Sequence, residues 1–396
     1  MNTQIPSHVL TVACLLFLLL PLAARVSAQH QTADRDAKVA VLLDLEGAQA
    51  SIGKPAMKGF LLGLQEAAID LTPKLFATLI DTKTDPNTTR QAAEAIVSRV
   101  TVGAGFTDND SLLVAGPVFH DKRIPFLSIG ATDPALPETI GTNIFLLPFG
   151  DNTQAAAAAE FAYGEFGGTV AILFDATHHY SRTLPQYFRT RFESLGGQVR
   201  LDAAYDGGCN IATLGGQVTR LSPQPAFIYL AGVPACIGEV IASLRTAGVH
   251  QPIIGGDGLD TPRLSAGQTT PVDGVWYTTH VWLSAETGTS RTQQFIAAYH
   301  NAYGTPPEDA FAALGYDAAA LLLNVIRRAK DGSSRHMAKA LESTHEFQGV
   351  TGTISYTKEN HVPHKTVWII RVADGQQTLA TSFVPQVVPA AIIPPH

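Results

Sequence analysis

The sequence predicts an α/β protein of two doubly wound lobes, each built on a mostly parallel sheet. Short β-branched runs alternate with helical patterns, which is typical of a parallel sheet covered by helices on both faces. The alternation ends near residue 148 and then restarts, which indicates a second sheet. The chain has 396 residues, too many for one ordinary core and sufficient for two.

The first series of elements contains three apolar runs that we expect to be strands. Helical patterns separate them, and the turn Asp85-Pro86-Asn87 leads into one of these helices. In chain order we predict a strand at Lys38–Leu43, a helix at Lys54–Ala68, a strand at Leu75–Ile80, helices at Thr89–Val100 and Leu112–Phe119, and a strand at Ile124–Leu127.

The second series repeats this order. Its first helix is rich in alanine, and a later helix ends at Gly196-Gly197, where glycine suits a helix C-terminus. In chain order we predict a helix at Asn152–Phe166, a strand at Thr169–Phe174, a helix at Leu184–Leu195, a strand at Val199–Ala204, a helix near Thr213–Leu221, a strand at Ala226–Leu230, a helix at Cys236–Thr246, and strands at Ile253–Ile254 and Gly274–Thr279.

Three further helices follow without intervening strands, which fits a chain that crosses back to the first lobe. We predict these helices at Thr292–Tyr303, Asp309–Lys330 and Met337–Ser343, and a closing strand pair with hairpin character at Gly352–Tyr356 and Lys365–Val372. The two lobes are therefore expected to comprise residues 37–148 plus 283–350, and residues 149–282 plus 351–380. Residues 381–396 are rich in proline and are predicted to form an unpacked tail.

Residues 1–28 have the pattern of a cleaved export signal. An apolar block at Val9–Leu20 is followed by Pro21 and by the small residues Val26-Ser27-Ala28, which suit signal peptidase. Twelve apolar residues are too few to cross a bilayer as a stable helix, and no later apolar stretch is long enough. We expect a mature chain without a membrane span that begins near Gln29.

The composition argues against nucleic acid and anionic membrane surfaces as partners. The chain is 45% hydrophobic and 15% charged, as expected of a globular protein, and its net charge is −7. Phosphate binding needs clustered Lys and Arg, whereas the densest basic group here, Arg327, Arg328 and Lys330, lies at a predicted helix end, where cations suit the helix dipole.

Cys209 and Cys236 are the two cysteines of the predicted mature chain. Each opens a predicted helix just after a strand, so both should lie at the carboxyl side of the same sheet. In an oxidising compartment they could form a disulfide; the alternative is two small buried thiols.

The sequence lacks the common signatures of catalysis. The first strand–helix connection contains Gly47 and Gly53 without a GxGxxG pattern, and no GxxxxGK[ST], GxSxG, HExxH or CxxC motif occurs. The pair His178-His179 could bind a metal, but adjacent residues point in different directions, which favours imidazoles that face solvent near a site mouth. We therefore predict a protein that is not an enzyme and that uses no metal and no cofactor.

Several segments together resemble the periplasmic solute-binding proteins of branched-chain amino-acid ABC transporters, the Leu/Ile/Val-binding family. These segments include VAVLLDLEGAQASIG, DTKTDPNTTRQAAEAI, IPFLSIGATDPAL and IIGGDGLDTP, and their order and spacing match over almost the whole mature chain. The resemblance implies a type I periplasmic-binding fold, with a multi-strand hinge between the lobes and a ligand cleft between them. It also implies a periplasmic monomer that binds an amino acid or a related small solute and works with an inner-membrane ABC permease.

Gly130, Ala131 and Thr132 follow a predicted strand at the place where ligands bind in open α/β sheets. Small side chains allow backbone N–H groups to approach an anion, and Thr132 adds a hydroxyl. With the resemblance, we expect these residues to contact the ligand; the alternative is a simple turn in which Thr132 is a cap.

The family's Ser-rich loop, which grips a ligand carboxylate, is replaced here by Gly105–Ser111, GFTDNDS. Asn109 and Ser111 retain hydrogen-bond donors and are the candidate ligand residues of this loop. Two aspartates have entered the segment, and they would repel a carboxylate unless they face solvent. This departure makes a simple α-amino acid ligand doubtful.

In the second lobe, Tyr180 matches a ligand-facing tyrosine of the family, and Asp257 matches the acidic residue that pairs with the ligand's ammonium group. Tyr180 offers an apolar ring and a hydroxyl; alternatively it is a surface aromatic. A carboxylate in a closing cleft needs a cation partner, unless Asp257 belongs to a solvated Asp-Gly turn. Accordingly, we expect Asp257→Ala to abolish binding of an ammonium ligand and to leave the unliganded protein folded.

Ile52 and Phe311 are the remaining candidates. By the resemblance, Ile52 frames the pocket from the first loop and Phe311 covers it from the returning helices, although both residues also suit an ordinary core. The leading functional hypothesis is solute capture for import by hinge closure. The alternatives are a sensor or accessory protein of the same fold with an aromatic, amide or more apolar ligand, and an enzyme on this scaffold, which would need a nucleophile–base pair in the cleft.

Overall fold

A computed structural model describes residues 36–67, 74–264 and 272–393. The predicted export signal lies outside the described residues. The first half of the chain forms a five-stranded parallel sheet in the order β2-β1-β3-β4-β5. Its elements are β1 (Ala37–Leu43), α1 (Ala50–Ala67), β2 (Leu75–Asp81), α2 (Pro86–Ile96), β3 (Val102–Gly105), α3 (Asn109–Asp121), β4 (Phe126–Ser128), α4 (Leu136–Ile140) and β5 (Ile144–Leu146).

The second sheet has seven strands in the order β14-β13-β10-β9-β8-β6-β7. Its elements begin with α5 (Asp151–Glu165), β6 (Thr169–Asp175), α6 (His179–Ser194), β7 (Gln198–Tyr205), α7 (Ala212–Thr219), β8 (Phe227–Ala231), α8 (Ile237–Thr246), β9 (Ile253–Gly255) and β10 (Val275–Thr279). The remaining elements are α9 (Ser290–Tyr303), α10 (Ala310–Arg328), α11 (Ser334–Glu342), β11 (Phe347–Gly349), β12 (Gly352–Ile354), β13 (Val367–Ala373) and β14 (Gln376–Phe383). Strands β6–β10 are parallel, and β13 joins them antiparallel.

Alternate residues of the central strands are buried on opposite faces of each sheet, which is what the doubly wound architecture requires. In β1, Val39 and Val41 pack in one apolar cluster and Leu42 packs in another. In β6, Leu173 and Ile172 separate in the same way. The predicted fold of two doubly wound parallel lobes is therefore confirmed.

Helix α10 belongs to the first lobe, although it follows the second series of strands. Its residues Leu314, Leu321 and Val325 share an apolar cluster with Val39 and Val41 of β1. In the described part of the chain this helix alone is long and apolar enough to cross a membrane, but 78% of that stretch is buried within the fold. It is a core helix.

Helices α1 and α10 cross with their backbones in direct contact. A Cβ atom at Gly59 would lie 1.8 Å from the carbonyl oxygen of Ala312, and one at Gly315 would lie 2.0 Å from that of Ala56. Both distances are far shorter than any real contact, so only glycine permits this approach.

Three connections between the sheets form the hinge, at residues 147–150, 280–289 and 355–366. The buried Lys365 donates from Nζ to the carbonyl oxygen of Leu147, at 3.0 Å, and to Oγ1 of Thr351, at 2.7 Å. The ring of His280 packs on that of Phe149 with centroids 3.9 Å apart and the ring planes tilted by 30°. The first connection is thus tied to both of the others.

Four strands, β3, β5, β11 and β14, were missing from the sequence prediction, and one pairing was wrong. Strand β3 reads VGAG and β5 has three residues, so neither shows the long β-branched run by which the other strands were recognised. The predicted terminal hairpin does not form, because β12 pairs with β11, whereas β13 pairs with β10 and β14.

The prediction of an unpacked tail is also wrong for the described residues up to 393. Strand β14 extends to Phe383, and the proline-rich segment after it lies against the second lobe. Asn152 donates to the carbonyl oxygen of Pro389 at 2.8 Å, and the N–H of Ile392 donates to the hydroxyl of Tyr187 at 3.0 Å. Proline removes backbone donors but leaves the carbonyl groups available for such contacts.

Candidate functional site

A cavity lies between the lobes, at the carboxyl ends of their parallel strands. The first lobe contributes loops after β1, β3 and β4 and the start of α10. The second lobe contributes loops after β6, β8 and β9. The lining residues are Gln49, Ile52, Thr107, Asp108, Asn109, Asp110, Gly130, Thr132, His178, Tyr180, Val233, Pro234, Asp257, Gly258 and Phe311.

Seven of the nine predicted ligand residues line this cavity; their contact with a ligand stays a prediction. They are Ile52, Asn109, Gly130, Thr132, Tyr180, Asp257 and Phe311. Ser111 and Ala131 do not line it. The hydroxyl of Ser111 instead donates to Oδ2 of Asp44 at 3.3 Å, and Ala131 is buried in the core beneath the loop.

The backbone N–H groups expected to meet a ligand anion are already bonded within the first lobe. The side-chain oxygen of Asn109 accepts from the N–H groups of Thr132, at 2.8 Å, and of Asp133, at 3.1 Å. The N–H of Gly130 donates to the carbonyl oxygen of Phe106, and that of Ala131 donates to the hydroxyl of Ser128. The N–H groups of Gly130–Thr132 are therefore not free to bind an anion in this structure, and contact between these residues and a ligand stays a prediction.

Acceptors dominate the first lobe's side of the cavity. Asp108 caps α3 by accepting from the N–H of Ser111 at 2.8 Å, and its Oδ2 is buried without a hydrogen-bond partner among the described residues. Burial, and then the nearby charge of Asp44, raise the pKa of Asp108 to about 7. Thr107 is 3% exposed, and its hydroxyl likewise finds no partner in the described parts of the chain.

Asp257 is enclosed by donors from its own lobe. Its Oδ1 accepts from Nε2 of Gln154 and from the hydroxyl of Tyr180, both at 2.8 Å, and its Oδ2 lies 2.9 Å from Nε2 of His280. Burial would raise the pKa of Asp257, but the hydrogen bonds from His280, Gln154 and Tyr180 outweigh it, so the pKa lies below its ordinary value. Burial also lowers the pKa of His280, which disfavours the charged form of its imidazole. Protein groups already satisfy the carboxylate of Asp257, and its contact with a ligand cation stays a prediction.

A buried hydrogen-bond chain runs from Asp257 through the hinge to the first lobe. Gln154 bonds both Asp257 and Oδ1 of Asp151, the latter at 2.9 Å, and Oδ2 of Asp151 lies 3.5 Å from Nδ2 of Asn109. Burial and the charges of Asp257 and Asp133 raise the pKa of Asp151 well above its usual range.

His178 and His179 bridge the lobes at the mouth of the cleft. Nε2 of His179 lies 2.6 Å from Oδ2 of Asp133, and Nδ1 of His178 lies 3.5 Å from Oδ2 of Asp110. Their side chains are only 28% and 22% exposed, so the sequence-based view of two solvent-facing imidazoles is wrong. The two pairs hold the lobes together.

Contact between the lobes is expected to weaken as the pH rises. The hydrogen bond to Asp110 raises the pKa of His178, and the charges of Asp175 and Asp108 act in the same direction. The contribution of this pair is therefore complete below the ordinary His value of about 6.5 and is lost as the pH rises through the raised value. Spin labels on the two lobes should report longer distances at pH 8.5 than at pH 5.5.

Asp110→Asn is the matched test of this expectation, since it keeps the shape of the residue and removes its charge. The pH dependence of the inter-lobe distance should shrink in that variant. An unchanged pH response would mean that the His178–Asp110 pair does not control closure.

The two cysteines lie close together without a bond between them. Cys209 is exposed and Cys236 is half-buried. Burial, together with a hydrogen bond to Cys209, raises the pKa of Cys236 to about 12, so its thiol is protonated at neutral pH.

A closing cleft between two doubly wound lobes, lined by loops from the carboxyl ends of both sheets, defines a bilobal solute-binding protein. The profile of the periplasmic binding protein family matches residues 36–377, almost the whole described chain. The chain belongs to this family, and within it to the type I proteins of the branched-chain amino-acid transporter group.

The alignments with similar proteins cover nearly the full length of each relative. Leu/Ile/Val-binding protein homolog 1 of Brucella suis is 23% identical over 342 residues, which cover 85% of this chain and 90% of the relative. The crystal structure of a leucine-binding protein, LivK, from Thermotoga maritima has a TM-score of 0.81 and 27% identity, covering 88% of this chain and 99% of that one.

A solute-binding protein of an ABC transporter from R. palustris, solved in complex with benzoate, has a TM-score of 0.78 and 18% identity. The alignment covers 90% of this chain and 99% of that one, and it shows the fold alone. These proteins share an architecture but differ in the ligand that their names state.

Proposed function

We propose that this protein captures a small solute between its lobes in the periplasm and presents it to an inner-membrane ABC permease. The observation that carries the proposal is a cavity that both lobes line together. The first lobe contributes Thr107, Asp108 and Phe311, and the second contributes Tyr180 and Val233. A solute that touches both sides stabilises the closed form by its greater affinity for that form.

In the proposed function, each lobe is formed by two separate stretches of the chain, because the chain passes between the lobes more than once. Residues 37–148 plus 283–350 form one jaw, and residues 149–282 plus 351–380 form the other. The protein acts as a monomer in this scheme, and the closed jaws together form the surface that the permease recognises. The relatives' names, which describe binding of leucine, isoleucine and valine, support a small solute of amino-acid size.

A thermal-shift screen tests solute capture. Amino acids, aromatic acids, amides, amines and apolar solutes are each added to the purified protein, and a true ligand raises the melting temperature by mass action, equivalent to about 2.7 kcal/mol at a hundredfold excess over Kd. Val233→Trp should fill the cavity and abolish the shift, whereas Val384→Trp, at a position 53% exposed, should not. If no solute of this size shifts the melting temperature, the proposal is wrong.

The second candidate function is that of a sensor or accessory protein with an aromatic or more apolar ligand. Ile52, Phe311, Tyr180, Val233 and Pro234 give the cavity apolar walls suited to such a ligand. A permease and an ATPase encoded beside this chain would favour import, and their absence would favour sensing.

We also propose that Cys209 and Cys236 form a disulfide in an oxidising compartment, because their thiols are near enough to interact. Protein purified without reductant is expected to be 2 mass units lighter than the reduced chain, since bond formation removes two hydrogen atoms. After unfolding, neither thiol should react with an alkylating reagent. Two alkylated cysteines under these conditions would contradict the disulfide.

A further inference from the structure

The first lobe offers the cavity an excess of hydrogen-bond acceptors. Oδ2 of Asp108 and the hydroxyl of Thr107 are buried, and neither has a donor as partner among the residues that the structure describes; the carboxyl groups of Asp108 and Asp44 bond each other only when they share a proton. A buried polar atom without a partner costs free energy, so each is a place where a ligand group would be stabilising. The carboxylate can only accept unless it is protonated, and the hydroxyl can accept or donate.

The groups that normally donate to an anion are not free on this side. Asn109 occupies the N–H groups of Thr132 and Asp133, and the N–H of Ser111 is bonded to Asp108. The described lining residues include no Lys or Arg. On this side a ligand carboxylate would therefore meet Asp108 with only two neutral side-chain donors nearby, the hydroxyl of Thr107 and the amide of Gln49.

Negative charge is also in excess at this end of the cavity. Asp110 is paired with His178, and Asp257 is satisfied by Gln154, Tyr180 and His280. Asp44 accepts from Thr82, Thr84 and Ser111, which are all uncharged. Apart from His178, which is paired with Asp110 and whose pKa the charge of Asp108 also raises, the described lining residues include no cationic side chain, and a cation beside Asp108 would favour its ionised form.

We propose that the solute carries a positively charged head group with N–H donors, such as an ammonium or an amidinium, and no free carboxylate, and that this head group bonds Asp108 and Thr107. The apolar body of the solute then lies against Tyr180, Phe311 and Ile52, and a cation next to the Tyr180 ring gains further stabilisation. This inference rests on the proposed capture of a solute in the cleft, and it names the chemical class of that solute.

Matched pairs of probes test the head group while keeping the body constant. Benzylamine and benzamidine are compared with benzoate, and isoamylamine is compared with isovalerate, by calorimetric titration of the full mature chain at pH 8. At this pH Asp108 is largely ionised, since its pKa is raised only to about 7. We expect the cationic member of each pair to bind at least about tenfold more tightly than the anionic member, as for a charged hydrogen-bonded pair.

Two conservative variants assign the effect to these residues. Asp108→Asn retains the side-chain oxygen that caps α3 and should lower the affinity for the cationic probes at least about tenfold. Thr107→Val keeps the shape and removes the hydroxyl, and a loss of several-fold is expected. Asp121→Asn makes the same charge change at the exposed far end of α3 and should leave the affinity unchanged.

The outcomes separate this inference from the proposed function. Tighter binding of benzoate or isovalerate would overturn the cationic head group, and a protonated Asp108 that donates to a carboxylate would then explain the raised pKa. If no cationic probe binds at 5 mM while another solute in the thermal-shift screen does, the inference also fails, although solute capture stands. An affinity for cations that is insensitive to Asp108→Asn would remove Asp108 from the site.

Discussion

Replacing Asp257 by Ala is expected to lower the free energy of unfolding by about 3 kcal/mol, the cost of leaving buried hydrogen-bond donors without a partner. The carboxylate is 3% exposed and accepts three hydrogen bonds. Its removal leaves the amide of Gln154 and the imidazole of His280 without their partner, and water has little access to replace it. The sequence alone had suggested an effect on binding without an effect on folding.

Urea unfolding of the unliganded protein measures this effect, with the midpoint and slope recorded by circular dichroism. Asp206→Ala is the control, because it removes an exposed aspartate of the same lobe, and a change within about 0.5 kcal/mol is expected there. If Asp257→Ala retains the stability of the parent chain, then the network around it contributes little to the fold.

Gly315→Ala is expected to destabilise the first lobe by about 3 kcal/mol, although alanine is the better helix former. The added Cβ would lie 2.0 Å from the carbonyl oxygen of Ala56, and backbone cannot move aside as a flexible side chain can. Helices α1 and α10 must therefore separate, and the apolar cluster that they cover against β1 loosens.

Gly164→Ala provides the matched comparison for this prediction. Gly164 lies in helix α5, and a Cβ there would have no heavy atom within 4 Å. The same substitution should stabilise the protein by about 0.5–1 kcal/mol, since only the helix preference changes. Two changes of identical chemistry should thus shift the urea midpoint in opposite directions. A destabilisation of equal size at both sites would contradict close helix contact as the cause.

The fold was predictable where the local pattern was strong. Strands β1 and β6 are apolar on both faces, so their runs were recognisable without knowledge of their neighbours. Strand β3 consists of small residues because Phe119 and Phe126 fill the space beside Gly103, and that reason exists only in the folded protein. The local sequence of β3 therefore gave no basis for predicting a strand there.

The sequence predicted where the site lies in the fold, but not which residues bond to one another within it. The sequence indicated Asp257, yet its partner Gln154 lies 103 residues away and carries no local signal. Asn109 was expected to contact a ligand, whereas its side-chain oxygen accepts a hydrogen bond from the backbone N–H of Thr132, 23 residues later. Thr107 was overlooked, although a hydroxyl residue directly after a strand end, beside an aspartate, is a signal that a closer reading of the loop could have used.

The three adjoining connections between the lobes limit how the molecule can move. We expect the contacts of Lys365 and of the Phe149–His280 ring pair to restrain sliding and twisting of the lobes and to leave bending at the hinge as the main movement. Each closure of the lobes then brings the same cleft loops into the same positions opposite each other. Ligand binding consequently costs the protein little conformational entropy, and most of the binding energy is available to discriminate between ligands.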